Sequence, residues 1–128
     1  MTHWTEKYIG LNYDDQSNNC AQLVGLVQRE QFGRLLDLPH EFPTDVFAQS
    51  AMFQNLIEDY AVPTDSPTEG DMVLTLGRRR LWHGGVYCVS NGLAYVLHSF
   101  KDRGAVVLSP MRDLERLNLS LEGFYTWK

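Results

Sequence analysis

One cysteine and two histidines have the types and the order that nucleophilic catalysis needs. Cys20 stands in "NNCAQLV", at the start of an apolar run with helical spacing. Unpaired backbone N–H groups at a helix start favour a thiolate there, although a free cysteine is also a common core residue. His83, in "LWHGGVY", is a candidate general base because imidazole titrates near neutrality, with a hydrogen-bonded core histidine as the alternative.

A predicted hairpin brings a second histidine close to His83. Asn91 and Gly92 form a typical two-residue turn between two strand-like runs. Counting equally from this turn places residue 85 opposite His98. His83 and His98 are then near neighbours on one sheet face, because side chains alternate along a strand. His98 could therefore fix the orientation and tautomer of the His83 ring.

Two helices are predicted in the first half of the chain. The first begins at Cys20, after N-cap candidates at residues 17–19, and ends near Phe32 and Gly33. The second follows a proline-containing connector and begins after Thr44 and Asp45. Its predicted core stripe consists of Met52, Phe53, Leu56, Ile57 and Tyr60.

The second half predicts strands. "VPTDSPTEG" is expected to be a turn-rich loop, and "DMVLTL", "LWHGGVYCV", "LAYVLHSF", "GAVVL" and "SLEGFYTWK" are strand candidates. Ser109 and Pro110 predict the N-cap and first residue of a short helix, "SPMRDLERL". The order indicates a single α+β domain over residues 1–128, with helices covering one face of a small antiparallel sheet.

Composition and charge exclude several other classes. The net charge of -5 and a single basic run at residues 78–80 make nucleic acid an unsuitable partner. No apolar segment is long enough to span a membrane, and no signal peptide is recognised, which predicts cytoplasmic synthesis. Cys20 and Cys88 are expected to be free thiols.

Metal sites fit the pattern poorly. The cysteines and histidines lack paired zinc-ligand spacings, and Cys88 is expected on the strand face opposite His83. The acidic and amide residues at 14–19 lack the calcium-loop pattern. We therefore expect no metal and no cofactor.

Four short motifs, in order, resemble the NlpC-type cell-wall peptidases, which are papain-like cysteine hydrolases. "YIGL" places Tyr8 twelve residues before Cys20, "GDMVL" matches a strand entry, "HGGVY" contains His83, and "LHS" contains His98. The resemblance implies a papain-like α+β fold in which Cys20 is the nucleophile, His83 the general base and acid, and His98 its orienting partner. Tyr8 would lend its hydroxyl near the oxyanion.

Neighbours of these residues are candidates for substrate binding. Asn19 and Gln22 flank Cys20 where the family usually has aspartate before the cysteine and glycine two residues after it, and Gln22 could line the cleft. Gly84 would let a substrate approach the strand closely. The implied substrate is a peptidoglycan stem peptide, cut at a γ-D-glutamyl-diaminopimelate or related amide bond.

The two chain ends resemble the phage tail assembly branch of the same family. The stretches are "HWTEKYIGLNY" and "LEGFYTW". This implies a virion or prophage tail setting, tail proteins as partners, and action on the cell wall after delivery. Two alternatives stay open: a structural tail assembly module with little hydrolytic activity, and an intracellular amidase or acyltransferase with the same triad.

Overall fold

The protein has a mixed fold of helices and one antiparallel sheet. A computed structural model describes residues 3–14, 19–36, 46–77 and 81–128. Its helices are α1 (Cys20–Phe32) and α2 (Val46–Tyr60), and short 3-10 helices include Trp4–Lys7, Lys101–Arg103 and Met111–Leu117. Its strands are β1 (Ala61–Thr64), β2 (Met72–Leu76), β3 (Trp82–Ser90), β4 (Leu93–Phe100), β5 (Ala105–Pro110) and β6 (Ser120–Trp127). The α+β class is thus confirmed.

Helix α1 has the ends that its sequence predicts. Asn19 is the N-cap, and Gly33 ends the helix in the left-handed conformation, with φ of 67°. Such a conformation favours glycine because it has no Cβ. The other predicted cap positions, residues 17 and 18, lie outside the described residues.

Helix α2 confirms the second helical prediction, and Ile57 of the expected stripe is buried in the core. The cap candidates Thr44 and Asp45 lie outside the described residues, as do the side chains of Met52, Phe53 and Leu56. No helix in the described part of the chain is long and apolar enough to cross a membrane.

Six strands form the sheet in the order β1-β6-β2-β3-β4-β5, and every described pair of neighbours is antiparallel. The five predicted strands are present. The predicted loop contains an additional strand, β1, which lies at the sheet edge and pairs only with β6 within the described residues. An edge position tolerates Pro63 because proline lacks the N–H that a central strand needs.

The β3-β4 hairpin has the predicted turn and register. Asn91 and Gly92 have positive φ values of 53° and 77°, as a type I′ turn requires. Val86 pairs with Leu97, so Gly85 lies opposite His98. A Cβ added to Gly85 would lie 2.6 Å from the Leu97 carbonyl oxygen, which explains why glycine stands there.

The two faces of the sheet bury different clusters. Helix α1 packs with Leu74, Val86 and Leu97 on one face, whereas Val96 and Phe100 belong to the cluster on the other face. Strand alternation assigns both histidines to the face of Val96 and Phe100. The histidines and α1 therefore approach each other only where the strands end.

The predicted helix start at Ser109 is wrong. Ser109 and Pro110 end strand β5, and the following Met111–Leu117 segment is a 3-10 helix. Ser109 pairs with Val96 across the sheet. Its hydroxyl makes a tertiary hydrogen bond with His98 instead of capping a helix.

Candidate active site

A cavity of about 210 Å³ lies where α1 begins and the central strands end. Its wall includes Cys20 from α1, His83 from the start of β3, Phe100 from the end of β4, and the segments 101–102 and 117–119. The cavity thus brings Cys20, on the helix side of the sheet, together with His83, whose side chain lies on the other face.

The start of β3 is fixed in place beside this cavity. The Trp82 backbone N–H donates to Ser50 Oγ of α2 at 2.8 Å, and the Thr75 hydroxyl donates to the His83 carbonyl oxygen at 3.0 Å. Both contacts hold backbone atoms on either side of the His83 side chain. Its ring position therefore depends on α2 as well as on the sheet.

Cys20 is the first residue of α1, and its side chain is half-buried. Burial raises the pKa of the Cys20 thiol above its usual value. The backbone N–H of Gly84 donates towards Cys20 Sγ and, with the N–H groups of Cys20 and Ala21, lowers this pKa by a smaller amount. The thiol is therefore protonated at neutral pH, with N–H groups in place to stabilise negative charge.

His83 and His98 form a short hydrogen-bonded pair. His83 Nε2 lies 2.7 Å from His98 Nδ1, and the ring of Phe100 packs on both imidazoles. Burial lowers the pKa of His83 to about 4, while the Asp102 carboxylate acts in the opposite direction. Burial and the neighbouring His83 also lower the pKa of His98. Both rings are therefore neutral at pH 7.

Ser109, on a third strand, adds a further hydrogen bond to this histidine pair. His98 Nε2 lies 2.9 Å from Ser109 Oγ of β5. Sequence reasoning missed Ser109 because the Ser-Pro pair is a common helix start. The two-residue alternation of β5 against β4 could have placed it on the histidine face.

Cys20 and His83 share the cavity as two neutral groups, because burial raises the pKa of the thiol and lowers the pKa of the imidazole. In the described part of the chain, no hydrogen bond joins Cys20 Sγ to His83, although both line the cavity. The Nε2 atom of His83 bonds to His98, so Nδ1 is the other ring nitrogen that a substrate or a thiol could approach. Catalytic hydrogen bonds often tighten only when substrate binds.

Tyr8 lies away from this cavity, contrary to the expected role near the oxyanion. Its hydroxyl donates to Glu30 at 2.8 Å and accepts from Gln31 at 3.1 Å. Glu30 is ten residues beyond Cys20 on α1, about 15 Å at 1.5 Å per residue. Tyr8 is fully buried and packs in the core. The structure therefore corrects its placement from the oxyanion to the far end of α1.

Asn19 and Gln22 form a capping box instead of lining the cavity. The Gln22 backbone N–H donates to Asn19 Oδ1 at 2.9 Å, and the Asn19 backbone N–H donates to Gln22 Oε1 at 3.0 Å. This arrangement satisfies two N–H groups at the helix start. The expected contact with substrate is thus replaced by a role in holding the helix turn that contains Cys20.

Further residues of the cavity were not anticipated from the sequence. Tyr13 and Asn118 contribute polar side chains to the wall, and Lys101 and Asp102 place opposite charges at it. These residues come from connecting segments, whose approach to Cys20 depends on the fold. Asp102 is the carboxylate that acts electrostatically on His83.

Comparisons with known proteins add no assignment. No family model matches the chain, and no curated protein is detectably similar to it. Among the described residues, no group of three or more His, Cys, Asp or Glu side chains could hold a metal ion.

Proposed function

We propose that this protein is a papain-like, NlpC-type cysteine peptidase that hydrolyses amide bonds of peptidoglycan stem peptides. The observation that carries the proposal is the shared cavity of Cys20 and His83, with His98 bonded to the far nitrogen of His83. A thiol and an imidazole in one cavity, with a second imidazole bonded to the first, support the assignment of Cys20 as nucleophile, His83 as base and His98 as orienting group.

The proposed reaction begins with a protonated thiol. As Cys20 Sγ attacks the peptide carbonyl carbon, the thiol proton moves to His83 Nδ1. The N–H groups of Gly84, Ala21 and Cys20 at the sulfur stabilise its negative charge as the proton leaves. His83 then gives its proton to the departing amine, which leaves a thioester on Cys20.

Hydrolysis of the thioester completes the cycle. His83 Nδ1 takes a proton from water as the water oxygen attacks the thioester carbon. The acid product leaves, and the proton returns to the Cys20 sulfur. The hydrogen bond from His83 Nε2 to His98 holds the ring in one orientation during both proton transfers.

One feature supports a stem peptide as substrate, and a second supports a tail setting. The opposite charges of Lys101 and Asp102 at the cavity suit a peptide that carries both carboxylates and amines. The resemblance of both chain ends to phage tail assembly proteins supports a tail setting, with delivery to the cell wall. Tail proteins would then be partners.

The test uses the two free cysteines of the chain as a matched pair. Parent protein, Cys20→Ala and Cys88→Ala are incubated with purified peptidoglycan, and released amino groups are quantified. Cys88 is buried in β3, and burial raises its pKa to about 12, so it serves as the control thiol. Parent and Cys88→Ala are expected to release amines, and Cys20→Ala is not.

Equal release by Cys20→Ala and the parent would refute the proposal. If all three folded proteins are inactive while Cys20→Ala phage still assemble tails, the structural tail module is the correct assignment. Hydrolysis of other amides, but not of peptidoglycan, would instead identify an amidase or acyltransferase.

A further inference from the structure

A chain of hydrogen bonds crosses three neighbouring strands on one face of the sheet. It begins at His83 on β3, passes through His98 on β4 and ends at Ser109 on β5. His98 is 1% exposed and Ser109 is 7% exposed, so the inner part of the chain is shielded from bulk water.

We infer that Ser109 is a positioning residue that sets the tautomer of His98 and, through it, that of His83. The inference rests on the proposed function, because it concerns the nitrogen of His83 that must accept the thiol proton. Nothing in the Ser-Pro sequence signal suggests this role, since that signal predicts a helix cap.

Only one arrangement of protons leaves His83 able to act as a base. If His98 carries its proton on Nε2 and donates to Ser109 Oγ, its Nδ1 atom accepts the Nε2–H of His83. His83 Nδ1 is then unprotonated and able to accept a proton. In the opposite arrangement Ser109 donates to His98, His98 Nδ1–H donates to His83, and the proton of His83 occupies Nδ1.

A second cavity favours the productive arrangement. Ser109 lines a space of about 380 Å³ together with Arg103, Asp113 and Arg116. Because Ser109 lines this space, its hydroxyl hydrogen has room to turn away from His98 and into the cavity. His98 Nε2 has no comparable outlet, because its ring is buried and Ser109 is its partner. Ser109 therefore accepts from His98 and donates into the cavity.

The test compares Ser109→Thr with Ser109→Val. Threonine and valine have nearly the same shape and both suit a strand, so the pair isolates the hydroxyl group. Nitrogen NMR of ¹⁵N-histidine-labelled protein at pH 7 reports which ring nitrogen carries the proton. In the parent and the threonine variant, the proton of His98 is expected on Nε2, whereas the valine variant is expected to shift it towards Nδ1.

Reactivity supplies a second readout. In a Cys88→Ala background, alkylation of Cys20 by iodoacetamide and the kcat for a stem peptide are measured for each variant. The valine variant is expected to lose about 10²-fold in both, the lower end of a general-base contribution, with KM unchanged. The threonine variant is expected to recover most of this loss.

The NMR result separates the two proposals. A parent His98 with its proton on Nδ1, or identical tautomers in the threonine and valine variants, would overturn the role of Ser109. If the parent leaves stem peptides intact but the His98 tautomers of the threonine and valine variants differ as expected, the peptidase assignment is refuted and the role of Ser109 is retained.

Discussion

Acidification should destabilise this protein through His83. Burial lowers the pKa of His83 from 6.5 to about 4 in the folded state, whereas an unfolded histidine keeps a value near 6.5. As the pH falls below 6.5, the unfolded chain binds a proton that the folded protein does not. The free energy of unfolding therefore decreases between pH 6.5 and about 4, and the contribution of His83 is fully present only above that window.

The size of the effect follows from this difference in pKa. At about 1.4 kcal/mol for each pH unit, His83 should remove about 2 kcal/mol of stability by pH 5 and about 3 kcal/mol by pH 4. His98 acts in the same direction, since its pKa is also lowered. A loss of this size is a substantial part of the stability of a typical domain.

Urea unfolding at pH 7 and pH 5 measures the effect, with His83→Gln as the comparison. Glutamine places an amide near the position of the imidazole Nε2 but does not titrate. Both proteins contain the same carboxylates. The difference between their losses of unfolding free energy therefore reports the titration of His83 together with its coupling to His98. The parent is expected to lose about 2 kcal/mol more than the variant. Equal losses would refute the conclusion that His83 is buried and neutral.

Two further predictions concern the surroundings of the histidines. Gly85→Ala should cost about 2 kcal/mol in urea unfolding, because the added Cβ would lie 2.6 Å from a carbonyl oxygen of β4. Gly123→Ala, with its nearest contact at 3.8 Å, should be tolerated, and equal costs would contradict this reasoning. Asp102→Asn should lower kcat about threefold to tenfold by removing a charge that stabilises protonated His83. The control Asp59→Asn, on α2, should leave kcat unchanged. An equal decrease of kcat in both variants would exclude a specific effect of Asp102 on His83.

The hairpin and the first helix could be predicted because their signals are local. Asn91 and Gly92 specify the turn, and counting from it correctly placed residue 85 opposite His98. The end of α1 at Gly33 follows from the left-handed conformation that glycine allows. In both cases, the residues that determine the structure lie within a few positions of the feature they determine.

The missed features depend on tertiary contacts. Ser109 fits a helix start by sequence, but pairing of β5 with β4 and the hydrogen bond to His98 place it in a strand. Tyr8 is twelve residues from Cys20 in sequence, yet it packs near the far end of α1 because its hydroxyl bonds to Glu30. The number of residues between two positions does not determine where they lie in the fold, so neither placement could be predicted from sequence spacing.

Asn19 and Gln22 are a different case, because their roles could have been predicted. A polar N-cap followed three residues later by glutamine is a recognised capping-box pattern. The motif resemblance favours substrate contact for both residues because they flank Cys20, whereas the capping pattern predicts hydrogen bonds to the backbone. Where a residue fits both a capping pattern and a proposed binding role, its side chain is expected to bond to the backbone N–H groups at the helix start.

Cys20 shows which of two opposing effects prevails at this helix start. The N–H groups of Cys20, Ala21 and Gly84 favour the thiolate, but burial raises the thiol pKa by more than they lower it. Burial also keeps His83 neutral, so in the proposed mechanism charge forms at both residues only as the proton is transferred. Reactivity in the proposed mechanism therefore depends less on the helix position of Cys20 than on a correctly oriented, unprotonated nitrogen of His83.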